Sequence, residues 1–208
     1  GAPELSIKQG DIRRAIAFGI SQSGRFLRTY LYYGFNEDES HRKAFDGVMP
    51  HVAGSGRGSF NHRFAQPSRD GHPYLNFFYP TDIFPFSDRV QRDPETGLAD
   101  GLLSHGTKAQ FQPSIFYTNS SYEYWGRAAS LVHTTIDGLE DVPLPANVRT
   151  YLLSAGQHGP AGFPPSGSIG QQMNNPLDYR WIMRALLVSM NQWITKGAEP
   201  PPSAYPRL

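Results

Sequence analysis

The chain has 208 residues, enough for one domain with a substantial core and too few for two ordinary domains. Hydrophobic residues make up 38% of it and charged residues 18%, and the formal net charge is +1. This balance excludes the strongly basic surface of a nucleic-acid-binding protein, and no apolar run approaches the length of a membrane span. The absence of cysteine excludes disulfides, thiolate metal sites and cysteine nucleophiles.

The first predicted element is a strand that turns directly into a helix. A continuous apolar run within residues 13–20 is typical of a strand buried on both faces. Residues 23–33 then have helical periodicity, and Gly34 is a typical stop signal. A second strand is predicted over residues 45–52.

Residues 54–112 are rich in glycine, proline, histidine and aromatic residues and show no sustained period, apart from a helix predicted at residues 98–110. A connection of this length is uncommon in a compact domain, so we predict a cap-like insertion in a single domain spanning residues 1–208. Several aromatic side chains are available to line a pocket for an acyl or aromatic group, or to pack the cap onto the domain: Tyr74, Phe77, Phe78, Tyr79, Phe84 and Phe86.

The C-terminal half alternates between strands and helices. Strands are predicted at residues 114–118 and 148–155, and helices at residues 124–133 and 176–196. Strands separated by helices predict an α/β fold, in which a parallel sheet is covered by helices on both faces.

The turn "GISQS", residues 19–23, contains two candidate nucleophiles. A tight strand-to-helix turn can hold one exposed side chain above the sheet, provided that the residues two before and two after it are small. Centred on Ser21, those neighbours are Gly19 and Ser23, whereas centred on Ser23 they would include the bulky Arg25. We therefore favour Ser21, with the backbone N–H of Gln22 facing the oxyanion, over a serine-rich turn that only caps a helix.

A serine nucleophile needs a base, and seven histidines compete for this role. In a fold of this kind the order along the chain is serine, acid, histidine, with each residue on a loop after a strand. Only His158 follows the last predicted strand, on a glycine-flanked loop. The other six histidines are interpreted as surface or structural residues.

Two carboxylates could orient that base. Glu123 follows the third principal strand, and its alternative role is to stabilise the start of the next helix. Asp137 lies in the next loop, where Asp137-Gly138 is also a typical turn pair. We favour Glu123 because of its position, and Asp137 stays open as the alternative.

Four stretches make the chain similar to the serine α/β-hydrolases, and more closely to the "alpha/beta hydrolase domain" group. They are "GISQSGRFLRTYLYYGFNEDE", "FDGVMPHVAGSGRGSFNHRFAQPSRDGHPY", "FYTNSSYEYWGRAASLVHT" and "QHGPAG". The resemblance implies the α/β-hydrolase fold and an esterase-like triad of Ser21, Glu123 and His158. Ser23 stands where the family has a glycine.

A complete fold of this family has several strands before the nucleophile, whereas few residues precede residue 13 here. The resemblance therefore predicts that this chain forms the C-terminal portion of the fold, and that a companion polypeptide carries the N-terminal part.

Two weaker motifs have competing interpretations. "GSGRGS", residues 54–59, follows a strand as a phosphate-binding turn does, but it lacks the spacing and the following helix, which favours a hinge. His62, Asp70 and His72 match no dependable metal-site spacing.

The sequence thus predicts a serine hydrolase that cleaves a small-molecule or polymeric ester through an acyl-enzyme, without a cofactor or metal. Short acyl esters, carbohydrate esters and polyesters are all compatible with it. The alternative is a non-catalytic binding or scaffold domain with the same fold.

Overall fold

A computed structural model describes residues 10–60, 82–105, 108–167 and 169–208. The strands are β1 (Ile16–Ile20), β2 (Gly47–His51), β3 (Gln91–Arg92), β4 (Ala99–Asp100), β5 (Ser114–Ser120) and β6 (Val148–Leu153). The helices are α1 (Gln22–Tyr32), α2 (Ser121–Gly126) and α3 (Arg180–Lys196), with 3₁₀ turns at Ala109–Phe111 and Ala129–Val132.

Four strands form one parallel sheet in the order β1-β2-β5-β6. Strands β3 and β4 form a separate antiparallel pair within the segment between β2 and β5. Because the four main strands are parallel, their carboxyl ends lie along the same edge of the sheet. The segments that follow β1, β2, β5 and β6 therefore meet at that edge.

The two faces of the sheet have separate buried cores because successive strand residues point to opposite sides. Val48 lies in a buried cluster with Leu27 and Leu31 of α1. Its neighbour Met49 lies in another cluster with Leu186 and Met190 of α3. The predicted parallel sheet with helices on both faces is confirmed.

Strand β1 is the end strand of this sheet within the described residues. Ala17 and Gly19 are buried on the α1 side, whereas the side chains on the other face, Phe18 and Ile20, are 50% and 52% exposed. An apolar groove of 480 Å³ runs between these two side chains and α3. Its wall on α3 includes Met183 and Leu187.

Buried polar groups tie the segment between β2 and β5 to the sheet. Arg28 of α1 is fully buried and donates to the backbone carbonyls of Ser55 (2.8 Å) and Phe86 (2.5 Å). The Tyr117 hydroxyl donates to Asp88 at 2.8 Å. Phe84 and Phe86 pack edge to face, while Tyr74, Phe77, Phe78 and Tyr79 lie outside the described residues.

The prediction of a helix at residues 98–110 is wrong. Ala99 and Asp100 form strand β4, and the Asp100 carboxylate accepts hydrogen bonds from the Gly101 N–H, the Ser104 hydroxyl and the Tyr32 hydroxyl. A side chain that bonds to nearby backbone stabilises a turn in competition with a helix.

The helix predicted at residues 124–133 is also displaced. Helix α2 begins at Ser121 and ends at Gly126, and Ala128 then has a positive φ of 46°. The Ser120 hydroxyl accepts from the Tyr122 N–H at 3.2 Å and so caps the helix earlier than predicted.

The C-terminal helix begins at Arg180 rather than at residue 176. Asn175 and Asp178 accept hydrogen bonds from the Leu177 and Arg180 backbone N–H groups, which holds a turn before the helix. No helix in the described part of the chain is both long and apolar enough to cross a membrane.

Candidate active site

Ser21 occupies the turn between β1 and α1 with a positive φ of 57°, an uncommon conformation for any residue except glycine. Its N–H donates to the His51 carbonyl at 2.8 Å, which fixes the turn against β2. A Cβ on Gly19 would lie 2.5 Å from the Ser23 carbonyl oxygen, so only glycine fits there. The small residues around Ser21 are therefore a steric requirement of the turn.

His158 lies on the loop between β6 and α3, beside Ser21. Its Nε2 is 3.0 Å from Ser21 Oγ, and 47% of its side chain is exposed. Ser23 is exposed on the first turn of α1 and makes no hydrogen bond to His158. Of the two serines considered, the structure brings Ser21 to the histidine.

Glu123 lies on the other side of the same imidazole ring, with its Oε1 2.5 Å from His158 Nδ1. Burial alone would raise the pKa of this fully buried carboxyl, but hydrogen bonds from His158 and Ser120 outweigh that effect. The pKa of Glu123 is consequently below its ordinary value, and the group is a carboxylate at neutral pH.

The second carboxylate oxygen of Glu123 holds the start of helix α2. Glu123 Oε2 accepts from the Ser120 N–H at 3.2 Å and from the Ser120 hydroxyl. Together with the bond from the Tyr122 N–H to Ser120, this is a capping box. Both roles considered for Glu123, facing the histidine and stabilising a helix start, are present in one side chain.

Asp137 has a different environment. It is exposed and accepts hydrogen bonds from the Thr135 hydroxyl (2.5 Å) and the Leu139 N–H (3.1 Å). These are the contacts of a turn residue, and none of them involves His158.

Two aromatic side chains, Tyr179 and Tyr122, hold the loop that carries His158. The buried Tyr179 donates its hydroxyl proton to the His158 carbonyl at 2.8 Å. The Tyr122 ring lies 5.6 Å from the His158 ring, centroid to centroid, and packs against it edge-on. These contacts fix the imidazole although half of it is exposed.

A cavity of 540 Å³ opens above Ser21, and it is lined by Ser21, Gln22, Arg25, Val52, Tyr122, Arg127 and His158. In the sequence, Arg25 stands out only as a bulky neighbour of Ser23, and Arg127 has no predicted role. The spacing of these two arginines from the candidate site residues is visible in the sequence. Each arginine lies four residues after a candidate site residue, Ser21 or Glu123, which is about one helical turn further along the chain.

A family model for the alpha/beta hydrolase domain matches residues 3–208. The chain belongs to the alpha/beta hydrolase domain family. No significant match was found among curated proteins or among solved structures. The match covers all four quoted stretches and agrees with the parallel sheet and the strand-to-helix turn at Ser21.

The glycine-rich segment of this alpha/beta hydrolase packs against the wall of the cavity. A Cβ on Gly54 would lie 2.6 Å from the Arg127 Cβ, and a Cβ on Gly56 would lie 2.4 Å from an Asp82 carboxylate oxygen. Asp82 in turn lies 3.4 Å from Arg127 Nη1. The glycines thus allow the backbone to approach the Arg127–Asp82 pair closely.

No group of three or more histidine or acidic side chains within the described ranges could hold a metal ion. The histidines and the aspartate weighed for metal binding, His62, Asp70 and His72, lie outside those ranges.

His51 forms the buried floor beneath the hydrolase's candidate site. Its Nδ1 is 2.8 Å from the Thr118 hydroxyl oxygen, and its ring stacks on Phe18 with centroids 6.0 Å apart. Burial lowers the pKa of His51 to about 4, although attraction to Glu123 and a hydrogen bond with the Thr118 backbone oppose this. His51 is therefore neutral at pH 7.

This buried imidazole makes stability depend on pH. The folded-state pKa of His51, about 4, is below its ordinary 6.5, so the unfolded chain binds the proton more readily between these values. Its contribution to stability is complete above pH 6.5 and is lost as the pH falls towards 4. Between pH 7 and pH 5 we expect the free energy of unfolding in urea to fall by roughly 1–2 kcal/mol because of this group.

The variant His51→Gln keeps a polar contact with Thr118 and removes the titration. It should show a shallower pH dependence than the wild type, with a residual slope from His133, whose pKa burial also lowers. An identical slope in both proteins would show that His51 does not titrate in this way.

Proposed function

We propose that this alpha/beta hydrolase is a serine esterase, in which Ser21 is the nucleophile, His158 the general base and Glu123 the orienting acid. The observation that carries the proposal is the continuous hydrogen-bonded chain from Ser21 Oγ through both nitrogens of His158 to a buried carboxylate, with distances of 3.0 and 2.5 Å. Nucleophile, base and acid in this order are the requirement for acyl transfer at a serine.

In the first half-reaction, His158 Nε2 takes the proton of the Ser21 hydroxyl while Oγ attacks the ester carbonyl carbon. The Glu123 carboxylate accepts the hydrogen bond from Nδ1–H, and so it selects the tautomer with a free lone pair at Nε2. The developing oxyanion faces the backbone N–H of Gln22, at the first turn of α1. When the tetrahedral intermediate collapses, His158 gives its proton to the leaving alcohol, and the acyl group stays on Oγ.

The second half-reaction repeats these roles with water. His158 takes a proton from a water molecule that attacks the acyl carbon, and the proton then returns to Ser21 Oγ as the acid product leaves. Glu123 stays ionised throughout and stabilises the imidazolium. Its lowered pKa favours this role, because a protonated carboxyl would lose the attraction.

Mutation of the two serines tests the nucleophile. Ser21→Ala should abolish ester hydrolysis and labelling by a fluorophosphonate probe, because no oxygen remains for the acyl group. Ser23→Ala should retain most of both signals, since Ser23 is exposed and makes no bond to His158. Thermal unfolding should show that both variants are folded.

The same probe separates an enzyme from a binding or scaffold domain. A domain without catalytic competence would leave the wild type unlabelled. Labelling and turnover that persist in Ser21→Ala and vanish in Ser23→Ala would transfer the nucleophile to Ser23.

A second pair of variants tests the acid. Glu123→Gln keeps the size of the side chain and an acceptor for Ser120, but it removes the charge beside His158. We expect kcat to fall by about 100-fold or more, with a smaller change in KM. Asp137→Asn is the matched control, and it should be mild because Asp137 contacts only its own turn. The reverse ranking in steady-state kinetics would assign the acid to Asp137.

We also propose that a companion polypeptide strand, carrying the N-terminal part of the fold, pairs with the open edge of β1. Beside this edge, Phe18 and Ile20 are half exposed on the face of β1 that borders the apolar groove, and unpaired apolar edges promote aggregation. A strand at this position would cover the groove and bring a second oxyanion donor towards Gln22. One such donor is worth about 100-fold or more in rate.

The isolated 208-residue chain tests the companion. It should self-associate in size-exclusion chromatography. The variant Phe18→Lys should be more monomeric, because it places a positive charge on the exposed apolar face of the end strand β1. Ile12→Lys, at an exposed site before β1, is the matched control and should have little effect. A soluble, monomeric and fully active 23 kDa wild-type species would contradict the need for a companion.

A further inference from the structure

We infer that the cavity above Ser21 accepts esters that carry a carboxylate, which Arg127 binds together with Arg25. This inference rests on the proposed esterase function and names its substrate class. Its starting point is the charge of the lining. Two arginines, Arg25 and Arg127, line the cavity together with Ser21 and His158, and no aspartate or glutamate lines it within the described residues.

The position of Arg127 is fixed by its backbone and by its side chain. Its N–H donates to the Glu123 carbonyl at 2.9 Å at the end of α2, and its carbonyl accepts from the Ser55 N–H at 3.2 Å. Its side chain is 22% exposed, and Nη1 lies 3.4 Å from Asp82. The guanidinium is therefore held at the cavity wall before any substrate arrives, so little entropy is lost when it binds an anion.

The pair with Asp82 is compatible with a second anion. A guanidinium has five N–H donors in a planar fork, which is more than one carboxylate accepts, and a second carboxylate can bind by two parallel hydrogen bonds. The Asp82 side chain is 36% exposed and does not line the cavity, so its charge is shared with solvent. Arg127 thus presents positive charge towards the reacting centre.

Arg25 adds a second positive charge from another element. It lies four residues after Ser21 on α1, and only 3% of it is exposed. A carboxylate between α1 and the end of α2 would face both arginines. The buried carboxylate of the site, Glu123, is engaged by His158 and by Ser120.

The size of the cavity limits the distance between the carboxylate and the ester. A volume of 540 Å³ is within the range of about 300–1,000 Å³ that is typical of small-ligand sites. The carboxylate and the scissile ester must therefore be only a few bonds apart. Monoesters of short dicarboxylic acids meet this condition, and their neutral diesters are matched in shape.

Hydrolysis of monomethyl glutarate and dimethyl glutarate by the purified protein tests the inference. After correction for the two ester groups of the diester, kcat/KM should favour the anionic monoester by about tenfold or more. Arg127→Gln should remove this preference, and Arg127→Lys should restore part of it because a lysine keeps the charge without the fork. Arg13→Gln makes the same charge change at an exposed site and should retain the preference.

Binding measures the subsite without turnover. In the Ser21→Ala background, glutarate should bind in calorimetry, and Arg127→Gln should weaken its binding by about tenfold. Equal kcat/KM for the two esters, or a preference that survives Arg127→Gln, would overturn the inference while Ser21-dependent hydrolysis still supported the esterase. If neither ester is hydrolysed, the esterase proposal fails for them, and glutarate binding that depends on Arg127 still decides whether the anion site exists.

Discussion

The carboxylate of Glu123 is the group on which the geometry of the site depends. A fully buried carboxylate is costly unless hydrogen bonds compensate for the lost water, and here each oxygen has a separate function. Oε2 closes the first turn of α2 through Ser120, while Oε1 faces His158. The cap therefore fixes the orientation of the acid, and the acid fixes the orientation of the imidazole. If either the helix start or the histidine moved, the buried Glu123 carboxylate would lose a hydrogen-bond partner.

The parallel sheet brings this carboxylate to a serine about a hundred residues away in sequence. Strands β5 and β6 are adjacent, so Glu123 and His158 leave the sheet beside one another. Strand β2 separates them from β1, and Ser21 must therefore reach across the end of β2. The turn at Ser21 achieves this because its N–H bonds to the His51 carbonyl at the end of β2. The positive φ of Ser21 is the strain that this reach requires, and the close approach of Gly19 to the next helix makes it possible.

Local sequence rules were sufficient where the constraint was itself local. The volume of neighbouring side chains, read from five residues, predicted which of the two serines lies beside His158. A continuous apolar run likewise predicted strand β1, but the expected burial on both faces is wrong within the described residues, because Phe18 and Ile20 are 50% and 52% exposed on one face. The helix prediction failed at Asp100, whose carboxylate accepts hydrogen bonds from the nearby Gly101 N–H and also from the hydroxyl of Tyr32, a residue distant in sequence. It also misplaced α2, because a capping serine at the end of a strand resembles one more strand residue.

The arginines of the cavity could not be predicted from composition, yet they follow from the same helices that carry the candidate catalytic groups. Arg25 is four residues after Ser21, and Arg127 is four residues after Glu123, so each arginine at the cavity is close in sequence to a candidate catalytic group. The cap at Ser120 thereby fixes Arg127 as well as Glu123. The candidate catalytic groups and the arginines are consequently held by the same hydrogen-bonded segments, and a shift in α2 would disturb both. This coupling explains why a positively charged wall can lie beside an acid without neutralising it: Glu123 points away from the cavity into its own hydrogen bonds, and Arg127 points into it.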